Sequence, residues 1–244
     1  MAGIARSLAV YHGRPWRVRR MARLYAPFVT AGALCFDIGA HAGDRVRCWR
    51  RLGARVVAVE PQSDFVRLLE RLFGRDPAVA VVAAAVGRTA GTAELLVSER
   101  TPTVTTLSRA WIERVGADPS FRGVGWTRGP VVAVTTLDAL VARFGVPAFV
   151  KIDVEGFERE ALEGLTQPVP ALSFEYVPAA IDVALGCTER LAALADYRFN
   201  WSVGETHRLV EPEWLDAAAM RARLARTAAG AGSGDVYARR AAAR

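Results

Sequence analysis

The stretch "ALCFDIGAHAGD" occupies residues 33–44 and joins a short apolar run to a turn that contains two glycines. The apolar run ends at Asp37, and Gly39 and Gly43 follow before a segment that predicts a helix. Glycines let the backbone approach a ligand closely, and a helix N-terminus presents free N–H groups to an anion. This order of strand, turn and helix predicts the first unit of an α/β sheet, with a ligand site beyond the carboxyl end of its first strand.

Four further apolar runs follow along the chain, at residues 54–61, 78–86, 147–154 and 170–177. Runs without polar alternation are typical of strands that are buried on both faces of a parallel sheet. Segments with helical spacing lie between them; residues 135–145, for example, begin at a threonine that can cap a helix and end at a glycine. Strands that alternate with such helices predict a doubly wound α/β sheet with helices on both faces.

The C-terminal part predicts two more strands, at residues 197–203 and 234–240, separated by a long connector with a helical stretch. A last strand that returns to a parallel sheet after such a connector is expected to be antiparallel. Residues 98–129 contain no clear strand and mix glycine, proline, threonine and arginine with three large aromatic residues. We interpret this segment as a lid or substrate loop, because long insertions often cover a binding site.

The length of 244 residues and the hydrophobic content of 52% predict one sizeable α/β domain. We predict a basic helical arm at residues 1–32, the domain at residues 33–240 and a tail at residues 241–244. No apolar run has the length of a membrane span, so we expect no transmembrane helix. The three cysteines have no metal-like spacing, which predicts reduced core thiols and a cytoplasmic location.

The net charge of +7 is concentrated at the ends of the chain. Residues 1–36 contain six arginines and no acid, whereas residues 37–210 hold 20 basic and 21 acidic side chains. A basic arm can contact nucleic acid or another anionic surface. The body of the chain carries no basic stripe with interleaved aromatic residues, so we do not expect nucleic acid to be the main partner.

The acids that end the first two predicted strands indicate the kind of ligand. Asp37 would repel a phosphate and suits an ammonium group, whereas Glu60 can accept hydrogen bonds from both hydroxyls of a ribose. An amino acid joined to a nucleoside has both groups, and S-adenosylmethionine is such a ligand. A nicotinamide dinucleotide is the alternative, but the spacing G-x-x-x-G differs from the dinucleotide fingerprint G-x-G-x-x-G.

The stretch "FVKIDVEGFE" (149–158) contains Lys151, the only lysine of the chain. Alternation along a strand places Lys151 and Asp153 on the same face. A buried lysine needs a carboxylate partner, and a desolvated lysine can lose its proton, which arginine cannot do in practice. We expect Asp153 or a neutral Lys151 to act as a base in a direct displacement, or both to orient the acceptor. An ion pair that only anchors the strand end is the alternative.

Two more carboxylates follow this strand. Glu155 lies at the turn into the next helix, and Glu175 ends the next predicted strand, where it is placed to bind a substrate hydroxyl. Together with Asp153 they could instead bind a divalent metal ion. No histidine joins the three at a short spacing, so we predict no metal site.

The chain contains, in this order, the motifs "FDIGAHAGD", "VVAVEPQ", "VTTLDAL", "VKIDVEGFEREALEGL" and "LSFEY". Their order and spacing resemble those of the FkbM-type family of S-adenosylmethionine-dependent methyltransferases. The resemblance covers roughly residues 33–240, and "KIDVEGFE" is its most specific element. It implies a class I methyltransferase fold, in which a Rossmann-like sheet of seven mostly parallel strands has an antiparallel last strand. It also implies an enzyme that uses S-adenosylmethionine to O-methylate hydroxyls of sugars, polyketides or other metabolites.

The resemblance also implies roles for single residues. Glu60 would take the ribose, and residues 84–87 would edge the adenine. His41 stands where the family often has asparagine. The candidate catalytic residues are Lys151, Asp153, Glu155 and Glu175, and the candidate cofactor-binding residues are Asp37, Gly39, His41, Gly43, Asp44, Glu60, Pro61, Ala84 and Ala85.

Two functional hypotheses follow from the sequence. The first is an S-adenosylmethionine-dependent O-methyltransferase that acts on a small molecule or glycan hydroxyl. The second is an RNA methyltransferase, or a nucleic-acid-binding module, that uses the basic arm at residues 1–32. The sequence names neither the acceptor nor the oligomeric state.

Overall fold

The computed structural model describes residues 15–98, 101–227 and 231–241. The first 14 residues of the predicted arm and the last three of the predicted tail lie outside the described residues. Within the described ranges the chain forms ten strands: β1 (Leu34–Ile38), β2 (Arg55–Val59), β3 (Val79–Val82), β4 (Ala85–Val86), β5 (Gly91–Val97), β6 (Thr127–Thr135), β7 (Phe149–Ile152), β8 (Ala171–Tyr176), β9 (Tyr197–Val203) and β10 (Gly234–Arg240). The α-helices of the same ranges are α1 (Pro15–Tyr25), α2 (Asp44–Arg51), α3 (Ser63–Phe73), α4 (Arg109–Val115), α5 (Leu137–Phe144), α6 (Glu158–Glu163), α7 (Ile181–Leu194) and α8 (Ala217–Ala225).

Seven strands form the main sheet in the order β3-β2-β1-β7-β8-β10-β9. The last strand, β10, is antiparallel to both of its neighbours, and the other pairs are parallel. This confirms the predicted class I methyltransferase sheet with its antiparallel last strand. The strand order reverses between β1 and β7, and ligands of open α/β sheets bind at such a switch point.

A second sheet of three strands, in the order β4-β6-β5, was not predicted. Its central strand β6 begins at Thr127, inside the segment that we interpreted as having no clear strand. Pro130 lies within β6. Because proline has no N–H to donate to a neighbouring strand, its presence argues against a strand when only the sequence is considered. The pairing of β5 with β6 shifts register between Glu94 and Leu96, and such a bulge accommodates a proline.

The apolar run at residues 78–86 is one predicted strand but two observed ones. β3 extends the main sheet beside β2, whereas β4 pairs with β6 in the second sheet. The chain turns between them at Ala84, where its backbone N–H bonds to the carbonyl of Val82. Uniform apolarity gave no sign of this change of sheet.

Helices cover both faces of the main sheet. On one face, α1 and α2 pack in an apolar cluster with the strands, and Tyr25 lies edge-on to Trp49 and Phe149 with ring centroids 5.3 Å away from each. Residues of α5, α7 and α8 form the cluster on the opposite face. The described part of the predicted arm is therefore packed on the domain, while its boundary at residue 32 stays a prediction.

The structure also bears on the expectations about the cysteines and about membrane-spanning helices. All three cysteines are buried and unpaired, as predicted. Over the described ranges, every helix is too short or too polar to cross a membrane.

Candidate functional site

A cavity with about 880 Å³ of empty space, partly open to solvent, lies beyond the carboxyl ends of β1, β2 and β7. It brings together most of the residues that the sequence singled out. Three of the predicted residues do not line the cavity: Gly43, Lys151 and Glu175. Lys151 is fully buried. The predicted residues that line the cavity are Asp37, Gly39, His41, Asp44, Glu60, Pro61, Ala84, Ala85, Asp153 and Glu155.

The loop after β1 touches the loop after β7 at Gly39. A Cβ atom at this position would lie 1.9 Å from the backbone oxygen of Asp153, and the φ angle of Gly39 is +82°. Both the space and the backbone conformation therefore require glycine. This close approach joins the predicted cofactor loop to the predicted catalytic strand.

Glu60 is held in a fixed orientation at the end of β2. Its Oε2 accepts the backbone N–H of His41 at 2.9 Å, and its Oε1 accepts that of Gln62 at 2.9 Å. Each carboxylate oxygen keeps a second lone pair for a ligand. Burial raises the pKa of Glu60 to about 7, although the two backbone N–H groups oppose that shift.

Asp37 lies at the end of β1 with only 2% of its surface exposed. Its Oδ2 is buried and has no hydrogen-bond partner among the described residues. Burial raises the pKa of Asp37 to about 7, and nearby Arg45 opposes the rise. A buried oxygen without a partner at a cavity wall is a place for a donor from a ligand.

His41 packs on the first turn of α3 and helps to shape the wall. Its ring centroid lies 3.9 Å from that of Phe65. Burial lowers the pKa of His41 to about 4, so the imidazole is neutral near pH 7. Its backbone has a positive φ of 45°, which is uncommon outside glycine and asparagine.

The start of α2 contributes a charged group that sequence analysis missed. Gly43 caps the helix with a φ of +77°, and Asp44 and Arg45 follow on the cavity wall. Arg45 Nη1 lies 3.1 Å from Asp44 Oδ1. In a chain so rich in arginine, nothing in the sequence distinguished Arg45 from the others.

Lys151 is fully buried and paired with two carboxylates. Its Nζ lies 3.2 Å from Asp153 Oδ2, as expected, and 2.7 Å from Asp235 Oδ1 on β10, which was not predicted. Burial opposes its charge, but these two carboxylates outweigh burial and raise the pKa of Lys151. This arrangement favours the charged form of Lys151 over the neutral form that would be needed for the alternative of Lys151 as base.

Asp153 is the ionised member of a group of carboxylates at the cavity edge. Its side chain is 28% exposed, and although burial opposes ionisation, Lys151 and Arg45 hold the pKa of Asp153 below its ordinary value. Oxygens of Asp153, Glu155 and Glu175 all lie within 4.8 Å of one another. Burial and the neighbouring carboxylates raise the pKa values of Glu155 and Glu175 well above the usual range, which favours the protonated form of both relative to Asp153.

The turn after β7 also anchors the segment at residues 101–121. Glu158 Oε1 accepts the backbone N–H groups of Val154 at 3.0 Å and Gly156 at 3.2 Å. A Cβ atom on Gly156 would lie 2.1 Å from the ring of Trp111 in α4. Trp111 is buried against Phe121 and Trp126, so it packs inside this segment.

A short strap, residues 101–107, crosses one side of the cavity. Gln62 Nε2 donates to the carbonyl of Pro102 at 3.3 Å, and the hydroxyl of Thr106 donates to the carbonyl of Glu155 at 2.6 Å. The strap therefore joins the loop beside Glu60 to the turn after β7. It supports the expectation that residues 98–129 contribute to the binding site.

The lining fits an adenosyl amino acid. Glu60 presents two oriented acceptors for vicinal hydroxyls, and Ala84, Ala85, Leu95 and Phe157 give apolar surface for a planar base. The buried Oδ2 of Asp37 lacks a partner that an ammonium group can supply.

A known protein family matches more than half of the chain. The model of a family described as "Methyltransferase FkbM domain" matches residues 37–177. No curated protein sequence matches the chain.

The solved structures that this chain resembles at low sequence identity include three methyltransferases. A TehB-like SAM-dependent methyltransferase from Corynebacterium glutamicum is 10% identical with a TM-score of 0.48, over 97% of this chain and 94% of that one. An O-methyltransferase from Bacillus cereus in complex with SAH is 11% identical with a TM-score of 0.46, over 99% and 91% of the two chains. A putative RNA methyltransferase from Pyrococcus horikoshii is 11% identical with a TM-score of 0.42, over 92% and 82%.

Proposed function

Because the chain belongs to the FkbM family of S-adenosylmethionine-dependent methyltransferases, we propose that it O-methylates a hydroxyl of a sugar, glycan or secondary metabolite. The observation that carries this proposal is the ionised carboxylate of Asp153 on the cavity wall, with a buried cation behind it. A hydroxyl must lose its proton when its oxygen is methylated, and Asp153 is placed to take that proton.

The cofactor-binding roles follow from the cavity wall. Glu60 binds the ribose hydroxyls, Asp37 takes the ammonium group, and Ala84 and Ala85 border the adenine. Gly39 lets the backbone of β1 approach the catalytic turn. When bound, S-adenosylmethionine supplies an electrophilic methyl group on a sulfonium.

Lys151 acts through Asp153. As a buried cation it keeps Asp153 ionised, and its second contact with Asp235 holds the ammonium in place. Direct displacement needs the acceptor oxygen in line with the methyl group, so a base in a fixed position also orients the acceptor. Lys151 is therefore a positioning residue, whereas Asp153 is the proposed base.

Glu155 on the cavity wall suits an acceptor with several hydroxyls, and Glu175 lies next to it outside the lining. A protonated carboxyl donates one hydrogen bond and accepts others, so it can pair with hydroxyls that do not react. Three carboxyl groups at the acceptor side disfavour a phosphodiester, because ionised Asp153 would repel it. This argues against the alternative of an RNA acceptor.

The experiment is an acceptor screen with ¹³C-methyl-labelled S-adenosylmethionine. Monosaccharides, glycosides and polyketide alcohols form one arm, and total RNA forms the other. A methyl ether carbon in the product spectrum of the first arm supports the proposal. Labelled RNA without any labelled small molecule would contradict the proposal and support the alternative of an RNA methyltransferase.

The cytoplasmic location predicted from the cysteines is part of the same proposal. The three thiols are buried, and burial raises the pKa of Cys35 and that of Cys48 to about 12, so they are poor nucleophiles. Fractionation of cells that express the protein tests the location.

A further inference from the structure

An apolar groove lies at the end of the main sheet that is opposite the cavity with Asp153. The groove has about 830 Å³ of empty space and is partly open to solvent. Its lining includes Ala171 at the amino end of β8 and Arg239 near the end of the antiparallel β10. The cavity with Asp153 lies beyond the other ends of these strands. A partner that covers the groove therefore leaves the proposed active site open.

The lining of the groove combines apolar surface with one cation. Among its lining residues only Arg239 is charged, and its guanidinium lies 4.3 Å from the centre of the Trp214 ring. An arginine that stacks on an aromatic ring keeps its stem on apolar surface and its N–H groups towards water, where an anion can reach them. The apolar side chains that the groove presents include those of Leu24, Pro27, Phe28, Leu209 and Trp214.

Helix α1 places further arginines beside the groove. Its apolar side, which includes Met21, packs on the domain, whereas Arg19, Arg20 and Arg23 are exposed. Arg20 lies four residues before Leu24, so these two side chains share one side of the helix. In the part of the chain that the structure describes, none of the three arginines has a carboxylate partner.

The acids near the groove do not offset this charge. Glu211, in the connector that contributes Leu209 and Trp214, pairs with Arg223 at 3.1 Å. The charge of Glu213 is offset by Arg208 on the same connector, and residues 1–36 contain no acid. Exposed arginines beside an apolar groove are complementary to a surface that offers both phosphate groups and acyl chains. Nucleic acid offers the phosphates but has no acyl chain for the groove.

We propose that the groove and the arginines Arg20, Arg23 and Arg239 together form a docking surface for a membrane that contains anionic phospholipids. The arginines contact the phosphate groups, and the apolar side chains of the groove contact the boundary of the acyl chains. Tryptophan and arginine suit this boundary, because each has an apolar body and a polar tip. A few charges and a shallow apolar contact give a peripheral, reversible attachment.

The first test uses the natural protein and measures its co-sedimentation with vesicles. Vesicles of phosphatidylcholine alone are compared with vesicles that also contain phosphatidylglycerol, and total RNA is offered separately. We expect at least about tenfold stronger binding to the anionic vesicles, and loss of this preference in about 0.5 M NaCl. Equal affinity for the two kinds of vesicle, or binding of RNA without binding of vesicles, would overturn the proposal.

The second test removes charge from the docking surface. The double variant Arg20→Gln/Arg23→Gln should bind anionic vesicles about 25-fold more weakly, since each arginine near such a surface contributes about a factor of five. The control is Arg221→Gln/Arg226→Gln, which removes the same charge at exposed positions of α8 and its end, on the opposite face of the sheet. It should bind like the natural protein. Equal losses in the two double variants would show that only net charge matters, and would overturn the assigned surface.

The third test changes the groove and keeps the arginines. Pro27 lines the groove and is exposed, so its replacement should leave thermal unfolding unchanged. Pro27→Asp should weaken binding to anionic vesicles about fivefold or more, because a carboxylate faces the phosphates. Pro27→Leu, which keeps the position apolar, should bind like the natural protein. Equal binding by the two variants would contradict contact between the groove and the membrane.

Discussion

Lys151 is shared between two carboxylates on different strands, with its Nζ 2.7 Å from Asp235 Oδ1 and 3.2 Å from Asp153 Oδ2. Asp235 belongs to the antiparallel strand β10, and Asp153 follows β7, with β8 between them. The lysine therefore ties the last strand of the chain to the proposed catalytic turn. The account of the site depends on this cation, because it keeps Asp153 ionised at the cavity wall.

Lys151→Met should lower turnover by about 100-fold or more, since the contribution of a general base starts at about that value. Without the cation Asp153 gains a proton and stops acting as a base. The same variant should lose about 3–5 kcal/mol of unfolding free energy, since two carboxylates lose a buried partner. Turnover with an acceptor from the screen and urea unfolding are the measurements. The control is Arg67→Met, which breaks the exposed pair with Asp64 and should cost less than about 1 kcal/mol.

The charge on Lys151 can be observed directly because it is the only lysine. Labelling with ¹⁵N-lysine gives a single Nζ signal, which we expect to stay that of an ammonium up to pH 10. Since Asp235 provides one of its two carboxylates, Asp235→Asn should shift the titration of this signal to lower pH. A neutral amine signal at pH 8 in the natural protein would restore Lys151 as a candidate base.

The affinity for S-adenosylhomocysteine should rise between pH 6 and pH 8. Burial raises the pKa values of Asp37 and Glu60 to about 7, and the ligand prefers both groups ionised. The contribution of these two carboxyl groups to folding stability has the opposite dependence on pH. A carboxyl with a raised folded pKa stabilises the protein below its unfolded pKa of about 4, and this contribution is lost as pH rises through about 7. Calorimetry across this range should give a flatter profile for Glu60→Gln, and an unchanged profile would contradict the assignment.

Gly39→Ala should remove cofactor binding and destabilise the domain. The new Cβ would lie 1.9 Å from the backbone oxygen of Asp153, so the loops after β1 and β7 must separate. Gly91→Ala is the matched control, because a Cβ there meets nothing within 4 Å. Thermal unfolding and calorimetry of both variants make the comparison. Normal binding of S-adenosylhomocysteine by the Gly39→Ala variant would show that this contact is not needed.

The main sheet and its strand-end acids could be predicted because their signals are local. An apolar run that stops at Asp37, Glu60 or Asp153 marks both a buried strand and its carboxyl end. The second sheet was missed because Pro130 interrupts β6 and the run before Ala84 is uniformly apolar. Such elements are fixed by tertiary pairing, which leaves no periodic pattern in the sequence.

The site residues that were missed lie far along the chain or carry no distinctive pattern. Asp235 meets Lys151 only because β10 enters the sheet beside β8, which places Asp235 in register with Glu175. Arg45 stands among many arginines. The strap at residues 101–107 accepts a hydrogen bond from Gln62 at the carbonyl of Pro102 and donates one from the hydroxyl of Thr106 to the carbonyl of Glu155. The two carbonyls that accept these bonds are positioned by loop shape, which the sequence pattern does not show.

The measurement that tests the central claim most directly is calorimetric titration with S-adenosylhomocysteine, which requires no knowledge of the acceptor. The account predicts micromolar binding by the natural protein, at least about tenfold weaker binding by Glu60→Gln, and unchanged binding by Asp153→Asn. NADH should not bind. Binding of NADH alone, or equal losses in both variants, would contradict the separation of cofactor-binding and catalytic residues.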